Sequence, residues 1–205
     1  MKSKRRWLHE RRNDPYFLLS KKEGYRSRAS FKLKQIVEEY RIIRLGDKVL
    51  DIGCAPGGWL QVASQYVGDS GIVVGVDIKP VEDLDLENVR TQVMDVFDEN
   101  FTNVVLKISG DKFNVVLSDI SPNMSGIYEI DHGRQIEMVE RVISLLKEIL
   151  KKDGCLVIKV FEGEYAPKVY KKISKMFKFV KRFKPMASRK GSSEYYLIAK
   201  YFRGF

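Results

Sequence analysis

The spacing of apolar and polar positions changes repeatedly along the chain. Lys48–Ile52 is a short run rich in β-branched and leucine residues that ends at Gly53. Such a run predicts a buried strand, whereas Trp59–Val67 carries its apolar residues at helical spacing. The pattern then recurs: strands are predicted over Ile72–Asp77, Val89–Met94, Phe113–Ser118 and Cys155–Phe161, and helices over Phe101–Ile108 and Ala166–Met176. Gln135–Leu150 is the clearest amphipathic helix, with Ile136, Val139, Ile143, Leu146 and Leu150 on one face and Gly154 as its stop signal. A further helix, Ala29–Tyr40, precedes the first strand, and two closing strands are expected over Phe177–Phe183 and Ser193–Tyr201.

Strands that are apolar on both faces and alternate with helices predict a mostly parallel α/β sheet covered on both sides. The two closing strands lack a long helix between them, so they should form an antiparallel terminal hairpin. No repeat, low-complexity block or Pro/Gly/Ser linker interrupts the 205 residues. One domain over 1–205 is therefore expected, with a basic N-terminal extension over 1–28. No apolar run approaches the ~18 residues of a membrane span, and MKSKRRWLHERR lacks the apolar stretch of a secretory signal, so a cytoplasmic protein without a membrane partner is expected. The two cysteines, Cys54 and Cys155, read as buried small apolar residues; no disulfide and no metal site is expected.

Charge changes the picture more than composition does. Residues 1–34 carry 12 Lys/Arg against 3 Asp/Glu, and residues 165–205 carry 12 against 1, while the middle of the chain is acidic, with 13 against 23. If the two basic ends meet in space, they make a positive surface suited to a polyanion.

The chemistry starts at Asp51-Ile-Gly-Cys-Ala-Pro-Gly-Gly-Trp59, which joins the first strand to its helix. A glycine-rich turn there lets a ligand approach the backbone at the carboxyl edge of the sheet, and Asp77 at the end of the second strand can accept both hydroxyls of a ribose. A dinucleotide loop reads G-x-G-x-x-G; here the string from Gly53 is G-x-A-x-x-G with Pro56 inside, a poor cradle for pyrophosphate. The phosphate-free cofactor S-adenosylmethionine fits better than NAD. Asp95, after the third strand, can hold an adenine amino group, and Asp119 follows the fourth.

The whole chain resembles the FtsJ/RrmJ family, ribose 2′-O-methyltransferases of large-subunit ribosomal RNA. The resemblance is carried by Arg26-Ser-Arg-Ala-Ser-Phe-Lys-Leu33, Asp51–Trp59, Ser118-Asp-Ile-Ser-Pro-Asn-Met-Ser-Gly126, Val157-Ile-Lys-Val-Phe-Glu-Gly163 and Ser188–Tyr195. It implies a Rossmann-like methyltransferase fold with a seven-stranded sheet, S-adenosylmethionine as cofactor, and a catalytic tetrad of Lys32, Asp119, Lys159 and Glu194. It also implies cofactor contacts at Gly57, Trp59, Asp77, Asp95 and Asp119, and a monomer acting on a uridine of ribosomal RNA within the large subunit. The departures are small: Cys54 where the family often has Ala, and Ser121 beside the Pro-Asn-Met string. Two other readings stand beside it, a transfer-RNA anticodon-loop ribose methyltransferase and a non-catalytic RNA-binding factor of ribosome assembly. The second should have lost some of the four tetrad residues.

A ribose 2′-hydroxyl is a weak acid, so methylating it calls for a base or for stabilisation of the developing alkoxide. Lys159, inside an apolar run, suits either role. Burial and Lys32 would lower its pKa, while carboxylates at 119 and 194 would raise it. Arg5, Arg6, Arg26, Arg28, Arg189 and Lys190 are candidate phosphate contacts, and Trp7, Tyr25 and Phe31 candidate stacking residues. His9 and His132 have no partner pattern that suggests a role.

Overall fold

The computed structural model describes residues 14–189 and 191–204. Its elements are helix α1 (Pro15–Lys22), α2 (Ser30–Tyr40), strand β1 (Lys48–Ile52), α3 (Gly58–Val67), β2 (Ile72–Asp77), β3 (Val89–Val93), α4 (Phe101–Ser109), β4 (Phe113–Ser118), α5 (Tyr128–Ile149), β5 (Leu150–Phe161), α6 (Ala166–Met176), β6 (Phe177–Phe183) and β7 (Glu194–Phe202). The seven strands form one sheet in the order β3-β2-β1-β4-β5-β7-β6. The pairings from β3 through to β5 are parallel. Strand β7 runs antiparallel to both neighbours and inserts between β5 and β6.

Side-chain alternation sends each strand's residues into two cores. Leu50, Ile52, Val74, Val76, Val116, Ile158 and Leu197 pack with α4, α5 and α6. Val49, Val73, Val115, Leu117, Val157 and Ile198 pack with α2 and α3 on the other face. The same parity places Asp51, Lys159, Glu194 and Tyr196 toward the α2 side. This decides where the polar groups gather.

Beyond one-residue shifts at several ends, three features differ from the sequence reading. Helix α1, absent from it, starts at Pro15 behind the N-cap Asp14, whose carboxylate accepts the N–H groups of Tyr16 and Phe17. Helix α5 begins seven residues before Gln135, because Asp131 collects the N–H groups of Ser125 and Gly126 and the hydroxyl of Ser125. Exposed Ile127, Tyr128 and Ile130 had hidden that turn from a periodicity count. Gly154 does not stop α5: the helix gives way directly to β5 at Leu150, and Gly154 lies inside the strand. A Cβ there would come within 2.7 to 2.9 Å of Leu150 and the carbonyls of Lys151 and Asn114, where the β4–β5 register shifts. Cys54 is buried, whereas Cys155 is only partly so; both are free.

Candidate active site

Strands β1, β2, β3 and β4 end side by side, and their loops enclose a cavity of about 260 Å³. Its wall includes Gly53, Ala55, Asp77, Asp95, Asp119 and Ile120, with Val96, Phe97 and Met138 as apolar surface. Two glycine positions shape the loop after β1. Gly53 has φ +83°, and a Cβ there would stand 2.8 Å from the Ile120 Cα, so the loops after β1 and β4 meet backbone to backbone. Gly57 has φ +108° and caps α3 with its own backbone. Asp77 braces the first loop by accepting the Ala55 N–H at 2.9 Å and its own turn by accepting the Lys79 N–H at 2.9 Å. Asp95 accepts the Phe97 N–H at 3.0 Å.

A continuous polar array leads from this cavity toward α2. Glu194 at the start of β7 pairs with Lys32 of α2. Lys32 Nζ donates to the Tyr196 hydroxyl at 3.3 Å, and Tyr196 donates to Asp119 Oδ1 at 2.7 Å. Lys159 Nζ completes the line, 2.7 Å from the Asp119 carbonyl oxygen and 3.1 Å from Oδ1. Lys159 lies opposite Tyr196 in the β5–β7 register, and Gln135 of α5 fixes its backbone by donating to the Lys159 carbonyl at 2.8 Å. Strand β5 is interior and Lys159 is 5% exposed, so its ammonium turns toward Asp119 and away from solvent.

Burial alone would raise the Asp119 carboxyl. The charges of Lys159 and Lys32, with hydrogen bonds from Tyr196 and Lys159, hold it below the ordinary carboxylate range. Burial pushes the Tyr196 phenol well above its ordinary range, and the Asp119 and Glu194 charges add to this, so it stays a neutral donor. All four residues of the expected tetrad thus converge, and Tyr196 joins their two halves. The sequence reading missed Tyr196, although it stands two residues after Glu194 and so shares its face of β7. Tyr196→Phe is expected to cost about 1.5–3 kcal/mol of stability, the range of a hydrogen bond to a charged group, and to lower kcat several-fold while leaving cofactor affinity unchanged. Thermal melts and steady-state kinetics check both.

Other expected site residues stand differently. Trp59 is buried, its indole N–H donates to the Ala29 carbonyl at 2.8 Å, and its ring packs on Tyr196. Tyr25 and Phe31 belong to the core beside α2 and offer no free face for stacking. Arg26 pairs with Glu82, and Arg28 with Asp14 and the Ala187 carbonyl. Ala187 in turn donates to Gln35, so the two basic stretches do meet beside the array. Arg5, Arg6, Trp7, His9 and Lys190 lie outside the described residues.

One buried acid remains unexplained by the array. Asp51 is fully buried, and neither carboxylate oxygen has a hydrogen-bond partner among the described residues. Burial raises its carboxyl well above the ordinary range, and the charges of Asp119 and Asp77 add to this. The folded state therefore holds a proton that the unfolded chain releases, and stability falls as pH climbs from the ordinary carboxylate pKa through the folded one. Asp51→Asn should melt higher than the wild type at neutral pH, by a few degrees, with the difference shrinking as pH falls toward about 4. Paired melts across that range measure it; a gap that widened on acidification would contradict the assignment.

The profile of the FtsJ-like methyltransferase family matches residues 25–202, a span that contains the cavity and the whole array. The chain belongs to this family. This FtsJ-like methyltransferase is 45% identical over 203 residues to a Methanocaldococcus jannaschii protein named ribosomal RNA large subunit methyltransferase E, covering 98% of this chain and 83% of the relative. A protein of the same name from Methanothermobacter thermautotrophicus is 42% identical over 200 residues, covering 98% and 95%. Among solved structures, a Plasmodium falciparum protein assigned as a ribosomal RNA methyltransferase superposes with a TM-score of 0.78 at 25% identity, over 88% of this chain and all of that one. No described helix of the methyltransferase is long and apolar enough to cross a membrane, and no described group of three His, Cys, Asp or Glu residues could hold a metal ion.

Proposed function

We propose that this methyltransferase moves a methyl group from S-adenosylmethionine to the 2′-hydroxyl of a ribose, and that its acceptor is a uridine of large-subunit ribosomal RNA. The observation that carries the reading is the unbroken line Glu194–Lys32–Tyr196–Asp119–Lys159 at the edge of a cavity walled by strand-end carboxylates. The naming of the archaeal relatives supports the ribosomal acceptor. All four tetrad residues are present, as two pairs joined through Tyr196, which disfavours a non-catalytic assembly factor.

The cavity suits the cofactor by its chemistry. Among the described residues, three carboxylates, Asp77, Asp95 and Asp119, stand in its wall against the single cation Lys79. Such a wall repels a pyrophosphate and favours a sulfonium, hydroxyls and an amino group. Asp77 would take the cofactor's ribose hydroxyls and Asp95 its adenine amino group, with Val96, Phe97 and Met138 against the base. Gly57 and Trp59 lie outside the cavity wall, at the start of α3. Trp59 would contribute through its backbone N–H, one of those in a first helical turn that no helical carbonyl accepts. Bound there, S-adenosylmethionine supplies a methyl carbon already activated by positive sulfur.

The rest of the chemistry falls to the chain's own residues. Lys159 has three N–H donors and gives two directions to Asp119, which leaves the third for an acceptor hydroxyl. It orients that oxygen and stabilises the negative charge that develops on it as the O–C bond forms, the hydroxyl proton passing to solvent water. Asp119 fixes Lys159, and the Lys32–Glu194 pair fixes Tyr196 from the far side.

The test incubates the protein and S-adenosylmethionine with unmodified large ribosomal subunits and, separately, with bulk transfer RNA, and then maps methylated nucleotides by mass. A 2′-O-methyluridine in the ribosomal RNA is expected. Methyl groups in transfer RNA alone would overturn the ribosomal acceptor, and methyl groups on bases would overturn the 2′-hydroxyl.

A further inference from the structure

Beside the array, on the far side of β5, three rings form a column. Tyr128 at the start of α5 lies parallel to His132, with 1° between planes and 5.8 Å between centres. His132 in turn stacks on Tyr165 at 5.8 Å and 17°. Lys168 stands over the Tyr165 ring at 5.2 Å and closes that end. His132 is buried, while Tyr128 keeps half of its surface exposed. The column is fixed from several directions. The Tyr128 hydroxyl donates to the Glu162 carbonyl, His132 Nε2 accepts the Tyr165 N–H at 3.4 Å, and Asp131 anchors the loop before α5. Packing at Gly163 is so close that a Cβ would meet the His132 ring at 2.5 Å.

Nothing in the array uses these rings, and folding alone does not call for an aromatic ring held rigid in water at Tyr128. Its position gives a reason. Tyr128 is tied to Glu162, three residues beyond Lys159 on β5, and extended chain covers about 10 Å in that interval. Gln135, which holds the Lys159 backbone, follows Tyr128 by two helical turns, again about 10 Å. A nucleotide flanking a ribose held at Lys159 would have to reach about that far to meet the Tyr128 ring. Met124 and Ile127, just before Tyr128 in the chain, are exposed as well.

We propose that Tyr128 is a stacking platform for an unpaired base of the acceptor RNA beside the modified ribose, with His132 and Tyr165 as its rigid backing and Lys168 within reach of the adjoining phosphates. The proposal rests on the 2′-hydroxyl acceptor reading. Every base has a π face, so stacking here secures the strand and its geometry without demanding one base identity. Because the ring is already immobilised, little side-chain freedom is lost on binding.

The test uses unmodified large-subunit ribosomal RNA carrying 4-thiouridine at the position that the wild type methylates and at its neighbours. Irradiation followed by mass mapping is expected to place a crosslink on Tyr128, retained in Tyr128→Phe and lost in Tyr128→Leu. In steady state Tyr128→Leu should raise KM for the RNA about tenfold, leave KM for S-adenosylmethionine unchanged, and be rescued by the Phe variant. Crosslinks that bypass residues 124–130, or an unchanged RNA KM in a folded Leu variant, would overturn the platform. A wild type that crosslinks at Tyr128 yet methylates no ribose would fell the acceptor reading and leave the platform standing.

Discussion

Lys159→Met is expected to lower kcat for methyl transfer about a thousandfold while changing the affinity for S-adenosylmethionine by no more than a few-fold. The separation follows from geometry. Lys159 does not line the cavity, which is walled by Asp77, Asp95 and Asp119, yet its Nζ touches Asp119 through both the carbonyl and the carboxylate. Methionine keeps the volume and the unbranched stem inside an apolar strand, so packing survives. Asp119 retains the Tyr196 hydroxyl and the charge of Lys32, and a fifth of its side chain reaches solvent. The stability lost should therefore be about 1–3 kcal/mol, below the cost of orphaning a fully buried charge. Lys159→Arg should fail nearly as badly, because a planar guanidinium cannot reproduce the two contacts of a tetrahedral ammonium. Isothermal titration with the cofactor, beside single-turnover methylation, separates binding from chemistry. A Met variant that transferred methyl groups at the wild-type rate would remove Lys159 from the mechanism.

Why so much of this site was legible in the sequence can be traced through individual residues. The expected spans of β1, β2, β4, β6 and α6 coincide with the observed ones, because each is a short β-rich or helical-period run. The site residues at strand ends followed from the same runs, since a carboxylate at the end of a parallel strand faces the ligand edge. Tyr196 escaped because an aromatic residue in an apolar strand reads as core, and by burial it is core; only its partners reveal it. The extra turns of α5 escaped for the opposite reason. Their apolar residues point into water, where no packing period disciplines them. Arg26 and Arg28 show a third kind of loss: composition announces their charge, but nothing local tells that Glu82, Asp14 and the Ala187 carbonyl engage it. The insertion of β7 between β5 and β6 is a pairing choice made across the sheet. It matters for function, because only as the neighbour of β5 does β7 set Tyr196 opposite Lys159.

Gly53→Ala is expected to be the most damaging of the small substitutions, costing about 3 kcal/mol, or about 6–12 °C in Tm, and weakening cofactor binding at least tenfold. Two effects combine. The residue sits at φ +83°, where an L side chain is strained by about 1–3 kcal/mol. The added methyl would also lie 2.8 Å from the Ile120 Cα and 3.0 Å from its nitrogen, and backbone cannot rotate away as a flexible side chain would. Something must move, and what moves is the segment carrying Asp119, Ile120 and Ser121 along the cavity wall. Gly110→Ala supplies the comparison. That glycine has φ +69° at the C-cap of α4, but its added methyl would meet only Lys48 Nζ, at 3.9 Å. It carries the conformational penalty without the collision and lies away from the cavity. Gly110→Ala should therefore lose about 1 kcal/mol and bind the cofactor as the wild type does. The difference between the two variants, in melting and in titration, isolates the backbone contact between the loops after β1 and β4. Equal melting losses with intact cofactor affinity in both would mean that this contact does not shape the cavity.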